Sequence, residues 1–515
     1  MDIHEGHTLP GWLVIILRSR VWAPICMAYF VTLLCWGAFA PPGLYERDGY
    51  YHARYAQILP ERGLSRTFPW TQSSTWRDNF CDKEFLFHVL LIPFCRNQED
   101  PVQGAKIFAV ALATVVLIAQ YALLRLHHAP YPLACTLIFV SLSATVLHRL
   151  GMIRSHVLSI LLFQAGLHFL LTNRWKSIAA LGFLYSWSYT FPWVLPLTTA
   201  VFSLAKGLAR GGWCARPPLA ALAGVAAGSI LHPYFPGTVE NLLTYLQVID
   251  LSATNPVQSG VTLGGELYPL SMSEFLITFP LLILVSTGFG WAVLRLQNCL
   301  ARESTAMIGV AWLWFVGCWW MPRMIEYAAP AAGLAAGLLL RDLRPKSYLP
   351  AMEAGPRRAR FLMGLGAVMV LLAAAHSSAI HTFIATAGEA PARRFSGAAR
   401  WMKENLKPGE TVMNLWWDDF PELFYDAPEF RYLCGLDPTY MLRWDEAKAL
   451  GLEAMRARKR GLDGAWLADA FGSRLLIVRQ PKADAYPELK VEPWKLLYRD
   501  DAAALYRYDG PAAVP

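Results

Sequence analysis

Hydrophobic runs of roughly 16–25 residues recur through the first three quarters of the 515-residue chain, and each is close to the length that crosses a bilayer. Aliphatic and aromatic residues make up 55% of the chain, whereas charged residues make up only 16%. A soluble protein would carry about a quarter charged residues. The sequence therefore predicts a polytopic α-helical membrane protein.

The runs predict about eleven transmembrane helices. Their approximate bounds are 21–40, 104–124, 131–147, 156–171, 177–190, 192–206, 217–234, 275–296, 305–320, 327–341 and 361–384. Two of these, 177–190 and 192–206, could instead form one segment kinked at Pro192. The apolar stretch Phe85–Phe94 is too short to span, so we expect it to be re-entrant or interfacial on the outer face.

Orientation follows from lysine and arginine, which favour the cytoplasmic side of a membrane. Basic clusters lie at Arg18/Arg20, Arg174/Lys176, Lys206/Arg210/Arg216, Arg295/Arg302 and Arg341–Arg360. They predict a cytoplasmic N-terminus and an extracytoplasmic C-terminal domain for an integral membrane protein, which we expect to lie in a bacterial inner membrane. The net charge of +8 then reflects cytoplasmic anchoring, and no nucleic-acid partner is expected. For residues 1–40, a signal peptide cleaved after Ala38-Phe39-Ala40 is the alternative.

The predicted domains are a transmembrane domain, 1–385, with outer loops 41–103 and 235–274, and a small outer α/β domain, 386–515. The α/β domain is large enough to have its own core. Its predicted helices are Phe395–Lys407 and Asp445–Arg458, and its predicted strands are Thr411–Trp417, Phe430–Gly435, Leu475–Val478 and a hairpin of Lys490–Tyr498 with Ala503–Tyr508.

The first outer loop contains the first candidate site residues. Asp48 lies just past a predicted span, where a hydrated carboxylate can bind substrate or a divalent cation; the alternative is an N-cap for a helix Tyr50–Leu59. Lys83 could meet a lipid phosphate, or simply extend its ammonium group to water. Other titratable residues are dense in the same loop: Asp78, Asp82, Glu84 and His88. Cys81 and Cys95 are either a disulfide or two free thiols.

Three later outer positions are also candidates. The turn 148–156 places Arg154 and His156 on the side where arginine is uncommon, which favours phosphate binding unless the topology is misread. Glu266 lies in a loop shaped by the preceding Gly264-Gly265 and the following Pro269. Arg323 lies at a span boundary among aromatic residues, where it could hold an anionic head group or pair with Glu326.

The C-terminal domain contains Trp416-Trp417-Asp418, followed by Asp419-Phe420. Adjacent tryptophans beside carboxylates are typical of a recognition surface. The alternative is that the tryptophans form the core of the small domain. Because side chains alternate along a strand, only one of the two tryptophans is expected to face that core.

The order of these motifs resembles the catalytic subunit of oligosaccharyltransferases, members of the GT-C glycosyltransferase superfamily. Asp48, Tyr51 and Arg54 match the Asp-x-x-aromatic-x-x-Arg motif of the family's first outer loop. Glu266 and Pro269 keep the spacing of its Glu-x-x-Pro motif, and Arg323 lies seven residues before Pro330, as the family's arginine does. Trp416-Trp417-Asp418 matches the start of its Trp-Trp-Asp-Tyr-Gly acceptor motif.

The chain departs from the family at His156, where an acidic metal-binding pair should begin after Arg154-Ser155, and at Asp419-Phe420. The segment Asp82–His88 also resembles GT-C enzymes that transfer single sugars from polyprenyl phosphate. Those enzymes are therefore an alternative to transfer of an oligosaccharide. A lipid-linked glycan transporter and a non-catalytic envelope assembly protein are alternatives of another class.

The resemblance implies a polyprenyl-linked sugar donor, a membrane lipid environment, and a protein, lipid or glycan acceptor. The implied roles are catalysis by Asp48 and Glu266; binding of the donor phosphate by Arg323, Arg154 and Lys83; acceptor binding by Trp416, Trp417 and Asp418; and coordination of Mg²⁺ or Mn²⁺ by Asp48 and His156.

Overall fold

The computed structural model describes residues 22–210, 212–254, 260–343 and 356–511. Arg18 and Arg20, the segment 344–355 of the last basic cluster and the start of the alternative signal peptide lie outside these residues. The described helices are Trp22–Phe39, Asp48–Arg62, Phe85–Cys95, Pro101–Leu126, Pro132–Ser141, Thr145–Leu150, Ser155–Leu171, Trp175–Ser188, Val194–Arg210, Arg216–Ile230, Gly237–Ala253, Met272–Thr278, Pro280–Leu296, Arg302–Trp320, Ile325–Asp342, Pro356–Gly388, Ser396–Asn405, Phe420–Asp426, Thr439–Trp444, Glu446–Arg456 and Gly464–Phe471.

Each predicted span overlaps at least one helix, but few of these helices can cross a bilayer alone. Among the described residues, 3 helices are long and apolar enough: Trp22–Phe39, Pro101–Leu126 and Gly366–Gly388. The pair Met272–Thr278 and Pro280–Leu296, bent by 91°, gives a fourth if it is one span. Four shorter apolar helices in the described part of the chain have 10–17 residues, too few to cover about 30 Å of hydrocarbon. The protein is mostly helical with long apolar helices, and the count of eleven spans is not confirmed.

The chain divides into two compact units, each assembled from separate segments. The first unit comprises residues 1–40, 109–228 and 269–388, and the second comprises 41–108, 229–268 and 389–515. The second unit therefore combines the C-terminal α/β segment with the first predicted outer loop and most of the second, of which residues 269–274 belong to the first unit.

In the first unit, the helix Ile325–Asp342 is buried along most of its length. Its alanine and glycine residues allow neighbouring backbones to approach closely, as small residues do between membrane helices. At Gly333, a Cβ atom would lie only 3.0 Å from the carbonyl oxygen of Cys135 on the helix Pro132–Ser141. A larger side chain at this position would push the two helices apart.

The second unit contains a 4-stranded sheet with the order β1-β2-β4-β3. Its strands are β1 Val412–Asn414, β2 Leu475–Arg479, β3 Trp494–Arg499 and β4 Ala503–Tyr508. β2 pairs in parallel with β1 and antiparallel with β4, which forms the predicted hairpin with β3. All of β2 is buried, and its apolar run Leu475–Val478 is typical of a central strand.

Two strands predicted in this unit differ in the structure. The first, Thr411–Trp417, is shortened to β1 because a 3-10 helix begins at Trp417. The second, Phe430–Gly435, makes only isolated bridges, to Thr411 and Thr71. The disulfide alternative is also not supported, since Cys81 and Cys95 are free, buried thiols.

Candidate active site

Asp48 is the first residue of the helix Asp48–Arg62, which we call the first-loop helix. The Glu46 carboxylate accepts hydrogen bonds from the backbone amides of Asp48, at 2.8 Å, and Gly49, at 3.1 Å. Glu46 therefore caps the helix. Asp48 is the first residue of the helix and not its N-cap, so the N-cap alternative is wrong. The Asp48 side chain is half-buried at the N-terminus, where the helix dipole favours negative charge.

The other two residues of the first-loop motif are structural. Tyr51 is buried in the aromatic core of the second unit. Arg54 donates to the carbonyl oxygen of Tyr425 from Nε, at 3.0 Å, and from Nη2, at 2.7 Å. These bonds hold the first-loop helix against the helix Phe420–Asp426, which directly follows the Trp416–Asp419 segment.

Asp418 lies beside the start of the first-loop helix. Its Oδ2 atom accepts hydrogen bonds from Arg47 and Arg479, both at 3.2 Å. Burial would raise the pKa of Asp418, but the hydrogen bond and charge of Arg479, with the charges of Arg47 and Arg394, outweigh it and lower the pKa. Asp418 is therefore ionised. Arg47, which directly precedes Asp48 in the chain, links Asp418 to the start of the first-loop helix.

Asp419 is fully buried and contacts Arg479, which also binds Asp418, and Arg394. Its Oδ1 atom is 3.0 Å from Arg479 Nε and 3.3 Å from Arg394 Nη2. Burial raises the pKa of Asp419 to about 7, although the two arginine charges act to lower it. The role of Asp419 could not be predicted from the sequence, because its arginine partners are distant in the chain.

We expect the buried carboxyl of Asp419 to make the folded protein less stable as pH rises from about 4 to about 7. The folded state has the higher pKa, so it binds more protons than the unfolded state in this range, and the free energy of unfolding falls with rising pH. Each pKa unit corresponds to about 1.4 kcal/mol, which makes the change a few kcal/mol at most. Thermal unfolding of Asp419→Asn should show a weaker fall than the native protein; an unchanged pH dependence would contradict this.

The two tryptophans have different environments. Trp416 is only 5% exposed and belongs to the core of the α/β domain, with the Arg479 guanidinium 4.8 Å from its ring centroid. Trp417 is half-buried, and its Nε1 donates to the carbonyl oxygen of Thr262 at 3.3 Å. Trp416 lies in the core and Trp417 packs against its edge, so the two do not alternate as they would in a strand. Because Trp416 is buried, we retain only Trp417 and Asp418 as candidates for direct contact with an acceptor.

Glu266 lies in the short 3-10 helix Gly265–Leu267, and its side chain is half-buried. Thr262, four residues earlier, accepts the Trp417 hydrogen bond through its carbonyl and donates its own hydroxyl to Glu453 at 2.9 Å. The loop of Glu266 therefore lies beside the Trp417 segment in the second unit.

Lys83 also lies in the second unit. Its Nζ donates to the hydroxyl of Tyr245 at 2.9 Å, and it lies 5.6 Å from the ring centroid of Tyr440. These contacts hold the ammonium group in an aromatic setting. They argue against the alternative that Lys83 only extends its ammonium group to water.

Arg154, His156 and Arg323 belong to the first unit. Arg323 Nη2 donates to the Tyr189 hydroxyl at 3.0 Å. Arg154 precedes the helix Ser155–Leu171 in an extended conformation. His156 is buried, and its Nε2 is 2.9 Å from the carbonyl oxygen of Arg149.

Glu326, the alternative partner of Arg323, forms a buried ion pair with Arg149. Its Oε1 atom accepts from Arg149 Nε at 2.6 Å. Arg149 was noted in the sequence as one of the two arginines of the turn 148–156, but its pairing with Glu326 was not predicted, because the two residues are 177 positions apart in the chain.

Comparison with known proteins finds no matching family model and no matching curated protein. Solved structures do match. The apo oligosaccharyltransferase of Archaeoglobus fulgidus is 14% identical with a TM-score of 0.59, over 90% of this chain and 70% of its own. ArnT of Cupriavidus metallidurans bound to undecaprenyl phosphate is 14% identical with a TM-score of 0.57, over 96% of this chain and 100% of its own. Both are GT-C glycosyltransferases, so the predicted GT-C resemblance is confirmed at the level of the fold.

Proposed function

We propose that this protein is an integral membrane glycosyltransferase that moves a sugar or oligosaccharide from a polyprenyl-phosphate or polyprenyl-pyrophosphate donor to an acceptor on the outer face. The observation that carries the proposal is the fold similarity along nearly the whole chain to ArnT, a protein solved with undecaprenyl phosphate bound. The second support is the ordered set of motif residues, beginning at Asp48.

The proposed reaction breaks the bond between the sugar C1 atom and the phosphate oxygen and forms a bond from C1 to the acceptor nucleophile. Asp48, assisted by Glu266, would orient the nucleophile and take its proton. Arg323, with Arg154 and Lys83, would neutralise the charge that develops on the departing phosphate. Trp417 and Asp418 would contact the acceptor.

Asp48 and His156 remain our proposed ligands for Mg²⁺ or Mn²⁺. One observation fits a nitrogen ligand: the Nδ1 atom of His156 is buried with no hydrogen-bond partner among the described residues. Such a cation would stabilise the phosphate charge. The proton transfer and phosphate binding assigned above depend on side chains of this chain alone.

The acceptor distinguishes two forms of the proposal. An oligosaccharyltransferase structure was solved with a tethered acceptor peptide that contains an NVT sequon. This chain covers 99–100% of the ArnT structures but only 69% of that oligosaccharyltransferase structure. Transfer of a single sugar from polyprenyl phosphate to a lipid or polysaccharide is the second candidate, supported by the undecaprenyl phosphate bound to ArnT.

The proposal can be tested with purified protein in liposomes and a panel of labelled donors. Polyprenyl-linked sugars should be consumed, whereas nucleotide sugars should not. A sequon peptide and a glycolipid, offered in turn, would separate the two candidate acceptors. Movement of the intact donor across the liposome membrane without cleavage would instead support the transporter alternative.

We predict that the N-terminus is cytoplasmic and the C-terminal domain extracytoplasmic, because the basic clusters then fall mainly on one side. Reporter fusions after residue 350 and after residue 400 should therefore report opposite sides of the membrane. If both fusions report the same side, the orientation is wrong.

For Asp418→Asn, we expect the acceptor KM to rise by about tenfold, because a hydrogen bond to a charged group contributes about 1.5–3 kcal/mol. The donor KM should change little. Asparagine keeps the shape of the side chain beside Arg47 and Arg479, whereas alanine would remove a hydrogen-bond acceptor that both arginines share. Asp484→Asn is a matched control, since this carboxylate is exposed and pairs with Lys490. An equal rise in both KM values would assign Asp418 to the fold alone.

A further inference from the structure

Two buried histidines meet beneath the first-loop helix. His52 Nδ1, from that helix, is 2.9 Å from His88 Nε2, from the short apolar helix Phe85–Cys95. Both residues are at most 3% exposed. Glu84, at the start of the short helix, places its Oε2 atom 3.9 Å from His52 Nδ1. One ligand atom from each of the three residues lies within 4.8 Å of the others.

The remaining nitrogen of His88 is held by a carboxylate. Its Nδ1 lies 2.9 Å from both oxygens of Asp82, which is itself buried. His88 Nδ1–H therefore donates to Asp82, and Nε2 presents its lone pair toward His52 and Glu84. A carboxylate that orients a histidine in this way is the usual support of a metal-binding imidazole.

Aromatic rings enclose the pair of histidines. Tyr55 lies 4.9 Å from the His88 ring, and Phe87 lies 5.3 Å from the His52 ring, as measured between ring centroids. Packing of this kind fixes the ring orientations and limits access of water. It is the environment of a preformed site, in which the ligands need little rearrangement.

We propose that His52, His88 and Glu84 bind one transition-metal ion of the zinc class, with Asp82 as the residue that orients His88. Two imidazole nitrogens and a carboxylate oxygen suit zinc and similar ions, whereas Mg²⁺ prefers oxygen ligands alone. Zinc bonds of about 2.0–2.2 Å place tetrahedral ligand atoms about 3–4 Å apart. The observed separations of 2.9 and 3.9 Å require only small shifts.

The proposed ion has a structural consequence. It would join the first-loop helix, which begins at Asp48, to the helix Phe85–Cys95. Lys83 lies between the orienting Asp82 and the ligand Glu84, so the same ion would fix the backbone on both sides of Lys83. This metal site is distinct from the proposed Asp48 and His156 ligands, and it does not depend on the transferase reaction.

The test uses the full-length protein in detergent, without donor or acceptor. After removal of bound metal by a chelator, Zn²⁺ should rebind at about one ion per chain, and Co²⁺ should give the visible absorption of a tetrahedral site. Asp82→Asn and Glu84→Gln preserve side-chain size and should weaken Zn²⁺ binding by about 10–100-fold. Glu429→Gln, an exposed carboxylate paired with Lys403, is the matched control and should bind as the native protein does.

Native protein that rebinds no Zn²⁺ and gives no Co²⁺ absorption would overturn the proposal, whatever the variants do. Equal Zn²⁺ affinity in the native protein and folded Glu84→Gln would overturn it as well. In that case the histidines form only a hydrogen-bonded chain, in which His52 donates to His88 and His88 donates to Asp82.

Discussion

Asp48→Asn is expected to lower the rate of sugar transfer by about 100-fold or more, the cost of losing an acid–base or charge-stabilising group. The loss should appear in kcat, because the carboxylate is proposed to act on the nucleophile during the reaction. The fold should tolerate the change. Glu46 caps the first-loop helix, and Asparagine at 48 keeps nearly the same volume.

The matched control for this prediction is Asp78→Asn. Asp78 lies in the same outer loop, and its side chain is 63% exposed beside Arg77. Activity of that variant should stay within about twofold of the native value, as surface ion pairs contribute little. Activity of Asp48→Asn within a few-fold of the native protein would remove Asp48 from the mechanism.

Arg323→Ala is expected to reduce kcat/KM for the lipid donor by about tenfold or more, because charge-assisted bonds to phosphate contribute about 1.5–3 kcal/mol. Arg323→Lys should recover only part of this loss. A guanidinium group binds two phosphate oxygens at once, which a single ammonium group cannot copy. The comparison should be made at saturating acceptor, so that only donor use is measured.

Two further variants separate this role from a structural one. Tyr189→Phe removes the hydroxyl that accepts the Arg323 hydrogen bond, and it should have a smaller effect than Arg323→Ala. Arg302→Ala replaces an exposed arginine of the same unit and should leave donor use unchanged. A variant of Glu326 would be harder to interpret, since it also removes the buried partner of Arg149. Equal losses in Arg323→Ala and Tyr189→Phe would argue against a phosphate role.

Local patterns predicted the C-terminal segment well. The predicted helix Asp445–Arg458 is found as Glu446–Arg456, and the predicted hairpin is found as β3 and β4. Helix and hairpin signals depend on residues that are close in the chain. The segment near Phe430 was predicted as a strand because it is apolar. Its bridges instead involve Thr71, and a partner so distant in the chain cannot be identified from local sequence.

The same limit applies to the candidate site. The sequence identified Asp418 but not the arginines around it, because residues 47, 394 and 479 meet only after folding. Likewise, the density of titratable groups at Asp82–His88 was visible in the sequence. The metal site that we propose there could not be predicted, because it also requires His52, which is contributed by a different helix. Charged residues that act together are thus separated in sequence, whereas apolar periodicity is continuous along each helix.

The most direct test of the proposed function is to measure both products of one reaction in liposomes: the glycosylated acceptor and the polyprenyl phosphate or polyprenyl pyrophosphate that is released from the corresponding labelled donor. We predict that the native protein forms the two products in equal amounts and that Asp48→Asn forms neither above background. Donor that stays intact in the presence of native protein, for both a sequon peptide and a glycolipid acceptor, would contradict assignment of this chain as a polyprenyl-dependent glycosyltransferase.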